Sequence, residues 1–234
     1  ITDIRNHSIV DILPKRDTNA LIQYFSSFSR KARKQVTYII MDMSPLFKLV
    51  MQTMFPHAHI VADRYHVCRL VDWAVERVRK REQKILVAHS KMLKHNRRIL
   101  MKNPDRLTES EQIKLQEILR ISDDLRIAYG LRLAFRKIFK TFSIHNIERH
   151  LQLWLNIVER SHLVEFNNFK LSFTNWFPQI VNAFVLPYSN GFTEGCNNKI
   201  KVLKRISYGL RHFERFRVRI LMLSKKNSTS YFHS

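Results

Sequence analysis

The 234-residue chain carries 41 Lys and Arg against 19 Asp and Glu, a formal net charge of +22 with its 11 His taken as neutral. A charge of that size raises affinity for polyanions and makes nucleic acid the first partner to consider, while 45% apolar residues with 16 Phe, 7 Tyr and 3 Trp exclude a disordered basic tail. Cys68 and Cys196 are too few for a disulfide framework or a four-ligand zinc site. No apolar run approaches the roughly 20 residues that span a bilayer, so a soluble chain in a reducing compartment, without membrane association, is expected.

Residues 1–13 hold two short β-branched segments, Ile1–Ile4 and Ser8–Leu13, separated by Arg5-Asn6-His7, which predicts a β-hairpin. Beyond Pro14, Leu21, Tyr24, Phe25 and Phe28 recur at helical spacing from Thr18 to about Arg33, with Asp17 or Thr18 as cap. Val36–Ser44 is an apolar run of strand length that contains Asp42; a helix from Pro45 to about Phe55 follows, and His59–Val67 repeats the strand pattern around Asp63. Apolar strands joined by a helix predict a parallel βαβ unit, because strands in such a unit are covered on both faces. Asp42 and Asp63 then stand at the C-terminal ends of neighbouring strands, the edge at which open α/β sheets bind ligands.

From about Arg69 to Val185 strand signals give way to charged, amphipathic helices. The spacing predicts one from Arg69 to about Leu100, a break at Pro104, a second opened by the capping box Thr108-x-x-Glu111, a third from Asp123 to about Phe139, and a fourth opening at Ser143 with Ile147, Leu151, Trp154, Leu155 and Val158 in period. The Phe and Trp residues of these helices are read as core. The run Arg77-Val78-Arg79-Lys80-Arg81, with Lys84 nearby, reads either as a phosphate-contacting patch or as a solvated helix face.

The last informative stretch holds three of the four glycines, Gly191, Gly195 and Gly209. Ser189-Asn190-Gly191 is a turn and N-cap signal. In the helix that follows, Asn198, Lys201 and Arg205 fall on the side of Glu194, and Ile200, Leu203 and Ile206 on the opposite side. One face is expected to pack, and the other to present a carboxylate beside an amide and cations.

Three stretches, DMSPLFK (Asp42–Lys48), FPHAHIVADRYHV (Phe55–Val67) and SNGFTEGCNNKIKVLKRISYGLRHFERFRVRIL (Ser189–Leu221), together resemble the DDE-type bacterial insertion-sequence transposases of the ISL3 (insertion sequence L-three) family. The resemblance implies an α/β, ribonuclease-H-like catalytic core interrupted by an all-helical insertion. Mapped on this chain, it gives 1–68 as the α/β part, 69–186 as the insertion, 187–223 as the returning catalytic helix region and 224–234 as a polar tail. It further implies metal-dependent phosphodiester cleavage and strand transfer at element ends, with two Mg²⁺ (or Mn²⁺) ions held by carboxylates.

In that scheme Glu194 matches the terminal Glu. Asp42 matches the second metal-binding Asp because it follows the first helix, with Asp63 as the competitor for that role. Asp63-x-x-His66 resembles an accessory Cys/Asp-x-x-His motif of related transposases. The family's first metal-binding Asp, its zinc-binding segment and its helix-turn-helix segment map upstream of Ile1, so a chain lacking its N-terminal strand and that ligand is expected. Asp3 and Asp11 read as non-catalytic hairpin positions.

Asn198, Lys199, Lys201, Lys204, Arg205 and Arg211 are the expected contacts to double-stranded DNA, at element ends and target, because phosphate neutralisation requires clustered cations. A homodimer is expected because two ends must be joined, and the implied location is the bacterial cytoplasm, at the nucleoid. The competing expectation is a non-catalytic DNA-binding remnant of a transposase.

Overall fold

In this computed structural model the structure describes residues 1–141, 146–188, 190–207 and 212–226. Its first turn is organised by Asp3, whose carboxylate accepts from the backbone N–H groups of Arg5 (3.0 Å) and Asn6 (3.2 Å) and from Asn6 Nδ2 (2.7 Å). These bonds mimic a backbone turn and join β1 (Thr2–Asp3) to β2 (Ser8–Ile9), paired antiparallel with Thr2 opposite Ile9.

Two helices follow, α1 (Thr18–Ser26) and α2 (Arg30–Lys34), where the periodicity predicts one. Serines cause the break. Ser27 Oγ donates to the Tyr24 carbonyl at 2.7 Å, and Ser29 leaves the helical region to cap Ala32 N–H at 3.2 Å, so side chains compete with the backbone for helix hydrogen bonds.

The βαβ unit forms as the pattern predicts: β3 (Tyr38–Met41), α3 (Pro45–Met54) and β4 (His59–Ala62), with the strands parallel and in register from Tyr38 opposite His59 to Met41 opposite Ala62. Pro45 opens α3, where its missing N–H costs nothing. Ile60, Val61 and Ala62 of β4 are buried with Val50, Met51 and Met54 of α3, whereas β3 is only partly covered.

The apolar run that reads as strand to Val67 stops at Ala62, because Val67 already belongs to a helical stripe. In α4 (Arg64–Ile85) the buried positions Val67, Val71, Ala74, Val75 and Val78 recur at a period of three to four. This helix begins five residues before the expected Arg69 and ends at Ile85, not near Leu100. Non-helical Leu86 and Asn96 divide the remainder into a 3₁₀ turn (Val87–His89), α5 (Ser90–His95) and α6 (Arg97–Met101).

The helical chain continues through α7 (Glu109–Arg120), α8 (Asp123–Thr141), α9 (Ile147–Arg160), α10 (Asn167–Asn175) and α11 (Phe177–Val185). The capping box at the start of α7 is present, with Thr108 Oγ1 accepting from Glu111 N–H at 3.3 Å and Glu111 accepting from Thr108 N–H at 3.0 Å. The expected opening of α9 at Ser143 lies outside the described residues. After α11 the chain forms α12 (Gly191–Ile206) and α13 (Phe213–Lys226).

Contacts divide the chain into two compact units, Ile1–Asp63 with Pro187–Ser234, and Arg64–Leu186. The core of the second is aromatic: Phe135, Trp154, Phe166, Phe169 and Phe173 are buried against one another, and Trp154 Nε1 donates to the Leu131 carbonyl at 2.9 Å. Its ends are tied by Arg64, whose guanidinium donates to the carbonyls of Ala183 and Leu186. No helix among the described residues is long and apolar enough to cross a membrane.

Candidate active site

Parallel pairing decides where the two strand-end aspartates stand. Asp63 N–H donates to the Met41 carbonyl at 2.8 Å, which carries the ladder one step past Ala62 and sets Asp63 beside Asp42 at the C-terminal edge of β3 and β4. Their surroundings differ. Asp63 is buried at 3% exposure, and its Oδ2 accepts from Asn190 Nδ2 at 3.1 Å. Asp42 is half-buried; its carbonyl accepts from Ser44 N–H at 2.8 Å in the turn into α3, and its Oδ2 accepts from Arg16 Nη2 at 2.5 Å. The Arg16 side chain is itself 71% exposed and lies over the Phe47 ring at 5.0 Å.

Asn190 is the N-cap of α12, yet its backbone is not in the extended conformation of a capping residue and its side chain makes no capping bond; its amide Nδ2 instead donates to Asp63. The first turn is closed by Glu194 N–H donating to the Asn190 carbonyl at 2.9 Å. Two contacts fix the same turn to the hairpin: Thr193 Oγ1 and Thr2 Oγ1 share a hydrogen bond of 2.7 Å, and Phe192 stacks on His7 with ring centroids 5.1 Å apart. Upstream, Tyr188 lies against Tyr38 of β3 at 5.0 Å. The N-terminal end of α12 is therefore held both to the hairpin and to the C-terminal edge of the β3–β4 pair.

Glu194 sits in this anchored turn, half-buried, and its carboxylate makes no hydrogen bond or ion pair with any described residue. It also lies in the first helical turn, where backbone N–H groups favour a negative charge. Carboxylate oxygens are the hard donors that Mg²⁺ selects, and that ion retains waters when one or two carboxylates hold it. Among the described residues no three His, Cys, Asp or Glu converge as a ready-made metal cluster. In donor chemistry Asp42 and Glu194 fit such an ion as a pair of carboxylates.

His66 falls in the first turn of α4, half-buried, with its ring edge-on to Tyr65 at 5.5 Å. Asn198, Lys199, Lys201, Lys204 and Arg205 are all exposed along α12, and none of the four cations is ion-paired with a described residue. Arg211 and Gly209 lie outside the described residues, as do Ser189 and positions 227–234 of the tail. The expected apolar face of α12 is shorter than its wheel. Cys196 is buried and Ile200 and Leu203 half-buried, but Ile206 is 60% exposed, because the helix runs on past what it packs against. Burial pushes the Cys196 thiol up from its ordinary pKa.

The basic run on α4 is divided: Arg77, Lys80 and Lys84 are exposed, whereas Arg79 and Arg81 are taken up by internal partners. Arg79 is buried, bonded to Glu76, Gln83 and the Leu93 carbonyl, and Arg81 pairs with Glu82, Asp124 and Glu165. Residue type and spacing do not single out Arg16, Thr2 or Thr193, since nothing local marks their partners. Asn190 carries a local signal, but for a helix cap and not for a bond to Asp63.

The chain is 25% identical over 224 residues to the transposase for insertion sequence element IS1001 of Bordetella parapertussis, a match covering 94% of this chain and 55% of that protein. It is also 25% identical over 238 residues to the transposase for insertion sequence element IS1557 of Mycobacterium tuberculosis, covering 90% of this chain and 53% of that one. The chain thus spans about half the length of these relatives. A 51-residue stretch, 22% of the chain, is 51% identical to a Lactococcus lactis protein named ATP-dependent protease and covers 16% of it. No solved structure matches the chain. Residues 1–220 match the model of the family described as "Transposase", that of the ISL3 type, and with a match of this extent the chain belongs to the ISL3-type DDE transposase family.

Proposed function

We propose that this chain is the catalytic region of a DNA transposase that cleaves and joins phosphodiester bonds at insertion-sequence ends with divalent metal. The observation that carries the reading is the bond from Asn190 to Asp63: it ties the helix turn bearing Glu194 to the strand edge at which Asp42 stands. In the proposed architecture a ribonuclease-H-like part, 1–68 with 187–223, is interrupted by a helical insertion, 69–186. The strand–helix–strand unit, the all-helical run and the return through α12 support it.

Asp42 and Glu194 are the residues proposed to hold Mg²⁺ or Mn²⁺. The bound metal supplies charge stabilisation at the phosphoryl oxygens and lowers the pKa of the attacking water or 3′-hydroxyl. The exposed cations Lys199, Lys201, Lys204 and Arg205, with Asn198, follow Glu194 on the same helix and are proposed to hold double-stranded DNA by its phosphates; Arg211 is proposed with them from the sequence. Phosphate contacts fix register and orientation, so a cationic stretch contiguous with the acidic turn delivers the backbone to the reacting atoms. His66 is proposed as an accessory residue. A homodimer joining two ends, acting in the cytoplasm at the nucleoid, completes the reading.

A second reading, DNA binding without catalysis, is favoured by one observation: Arg16 already neutralises Asp42. Titration of Mn²⁺ into the chain separates the two. Saturable binding that is lost in both D42A and E194A supports the catalytic reading, and binding indifferent to both substitutions leaves the DNA-binding reading.

A further inference from the structure

We infer that Asp63 is a positioning residue and not a metal ligand: its buried carboxylate holds the Asn190 amide and thereby sets where the first turn of α12 presents Glu194. The inference rests on the reading of Asp42 and Glu194 as the metal-holding pair.

Three observations carry it. First, the two strand-end aspartates are chemically unequal. A Mg²⁺ or Mn²⁺ ion keeps part of its water shell, which a carboxylate at 3% exposure with Oδ2 engaged by an amide N–H accommodates poorly, whereas the carboxylate of half-buried Asp42 pairs, among the described residues, with the solvent-exposed guanidinium of Arg16. Second, Asn190 forgoes its local bond. An Asn at an N-cap ordinarily accepts from its own first turn and so stabilises the helix; here no such bond forms, and the amide reaches a partner 127 residues away. Third, the linkage to Glu194 is short and stiff, one helical turn closed by the 2.9 Å bond from Glu194 N–H to the Asn190 carbonyl.

With Thr193 bonded to Thr2 and Phe192 stacked on His7, the turn is anchored on the hairpin and, through Asn190, at the end of β4. Removing the Asp63 anchorage leaves the hairpin contacts and the Tyr188–Tyr38 contact upstream of the turn, about which the turn can pivot. A displacement of about 1 Å is enough to cost a preorganised site up to about a hundredfold.

The test combines two readouts on the full chain: Mn²⁺ affinity by titration, and amide exchange over residues 191–196. N190A and D63A should each weaken Mn²⁺ binding about tenfold and accelerate exchange in the first turn of α12. D63N keeps an amide oxygen as acceptor at the same place and volume, so it should stay within about threefold of wild type. N190D, which opposes two carboxylates, should be the weakest binder, and the double variant D63N/N190D, which restores a donor opposite an acceptor with the roles exchanged, should recover most of the loss.

A ligand role at Asp63 gives the reverse pattern: D63N loses binding, N190A retains it, and the double variant fails to recover. That pattern overturns the inference, as does exchange in 191–196 that ignores N190A and D63A. If exchange follows the expected order while Mn²⁺ binding is indifferent to E194A, the positioning of the turn stands and the metal reading it serves falls.

Discussion

Asp11 and Arg217, 206 residues apart in sequence, form a two-bond pair in which Arg217 Nε and Nη2 donate to the two carboxylate oxygens of Asp11 at 2.6 and 2.8 Å. The bond to Arg217 holds the Asp11 carboxyl below the usual carboxylate range, despite a burial that acts the other way. Tyr24 donates to the same carboxylate, and burial, with the nearby Asp11 charge, pushes its phenol up to about 12. The pair joins the strand region after β2 to α13, so its titration is linked to folding.

A carboxylate with a depressed folded pKa contributes stability that is present above its unfolded value, about 3.9, and lost as pH falls through the folded value. R217M should therefore unfold at lower urea than wild type at pH 7, with the gap narrowing below about pH 4. Tyr24 works at the other end. A phenol raised in the folded state stabilises below its unfolded pKa and loses that contribution as pH rises from about 10 to about 12. Y24F should remove the alkaline part of the profile and leave the acid part. A wild-type-to-R217M gap that stays constant from pH 7 to pH 3 would count against the linkage.

Arg16 occupies a carboxylate that the proposed function assigns to metal. Its side chain is 71% exposed and contributes little to folding, as surface ion pairs generally do, at about 0.2–1 kcal/mol. A divalent ion must compete with this guanidinium for Asp42 Oδ2. R16A should accordingly tighten Mn²⁺ binding by up to about fivefold, with the thermal midpoint almost unchanged. Weaker binding in R16A would instead give the arginine a supporting role and refute competition.

The parts of this fold that depend on neighbours in sequence were legible. The hairpin around Arg5-Asn6-His7, the capping box of Thr108 and Glu111, and the β3–α3–β4 unit arise from contacts within a few residues, or from a two-residue against a 3.6-residue period. The run around Asp63 misled because Val67 satisfies both periods: it extends the strand pattern of Ile60 and Val61 and equally begins the helical stripe of Val71, Ala74, Val75 and Val78. Partners distant in sequence leave no local mark. Arg79 and Arg81 look like any solvated arginines until Glu76, Asp124 and Glu165 are found beside them, and Asn190 looks like a cap until Asp63 takes its amide. For the candidate site, residue types and order single out Asp42, Asp63 and Glu194, but the unequal burial of the two aspartates depends on partners distant in sequence and leaves no local mark.

The exposed cations of α12 lead to a salt-dependence prediction. Each phosphate contact neutralised on duplex DNA contributes about 0.9 to the slope of log affinity against log salt. K201A/R205A should reduce that slope by about 1.8 and weaken binding similarly on unrelated sequences. As a control, K80A removes a cation of the basic run whose neighbours Arg79 and Arg81 are paired internally, and should change the slope less. Fluorescence anisotropy on two unrelated duplexes from 50 to 200 mM salt measures both, and an unchanged slope in K201A/R205A removes these residues from the interface.

Arg132, in the helical unit, is 0% exposed and the largest fully buried side chain among the described residues. Its Nε donates to Asp72 Oδ1 at 2.7 Å, and its remaining nitrogens reach the carbonyls of Met101, the last residue of α6, and of its C-cap Lys102, which have no further helix to bond. The charge is thus balanced by Asp72, while the guanidinium donates to carbonyls at a helix end that have no partner within the helix. Asp72 keeps a second partner in Arg136, at 2.9 Å, so it is not stranded when Arg132 is removed. D72A leaves Arg132 buried without a counter-charge and should cost about 3–5 kcal/mol. R132M retains apolar volume and removes the charge, so it should cost less, chiefly through the two carbonyls it orphans, at about 1–3 kcal/mol each. Urea unfolding of both variants gives the ordering, and R132M falling below D72A in stability would show that helix capping, not charge balance, is the main task of this arginine.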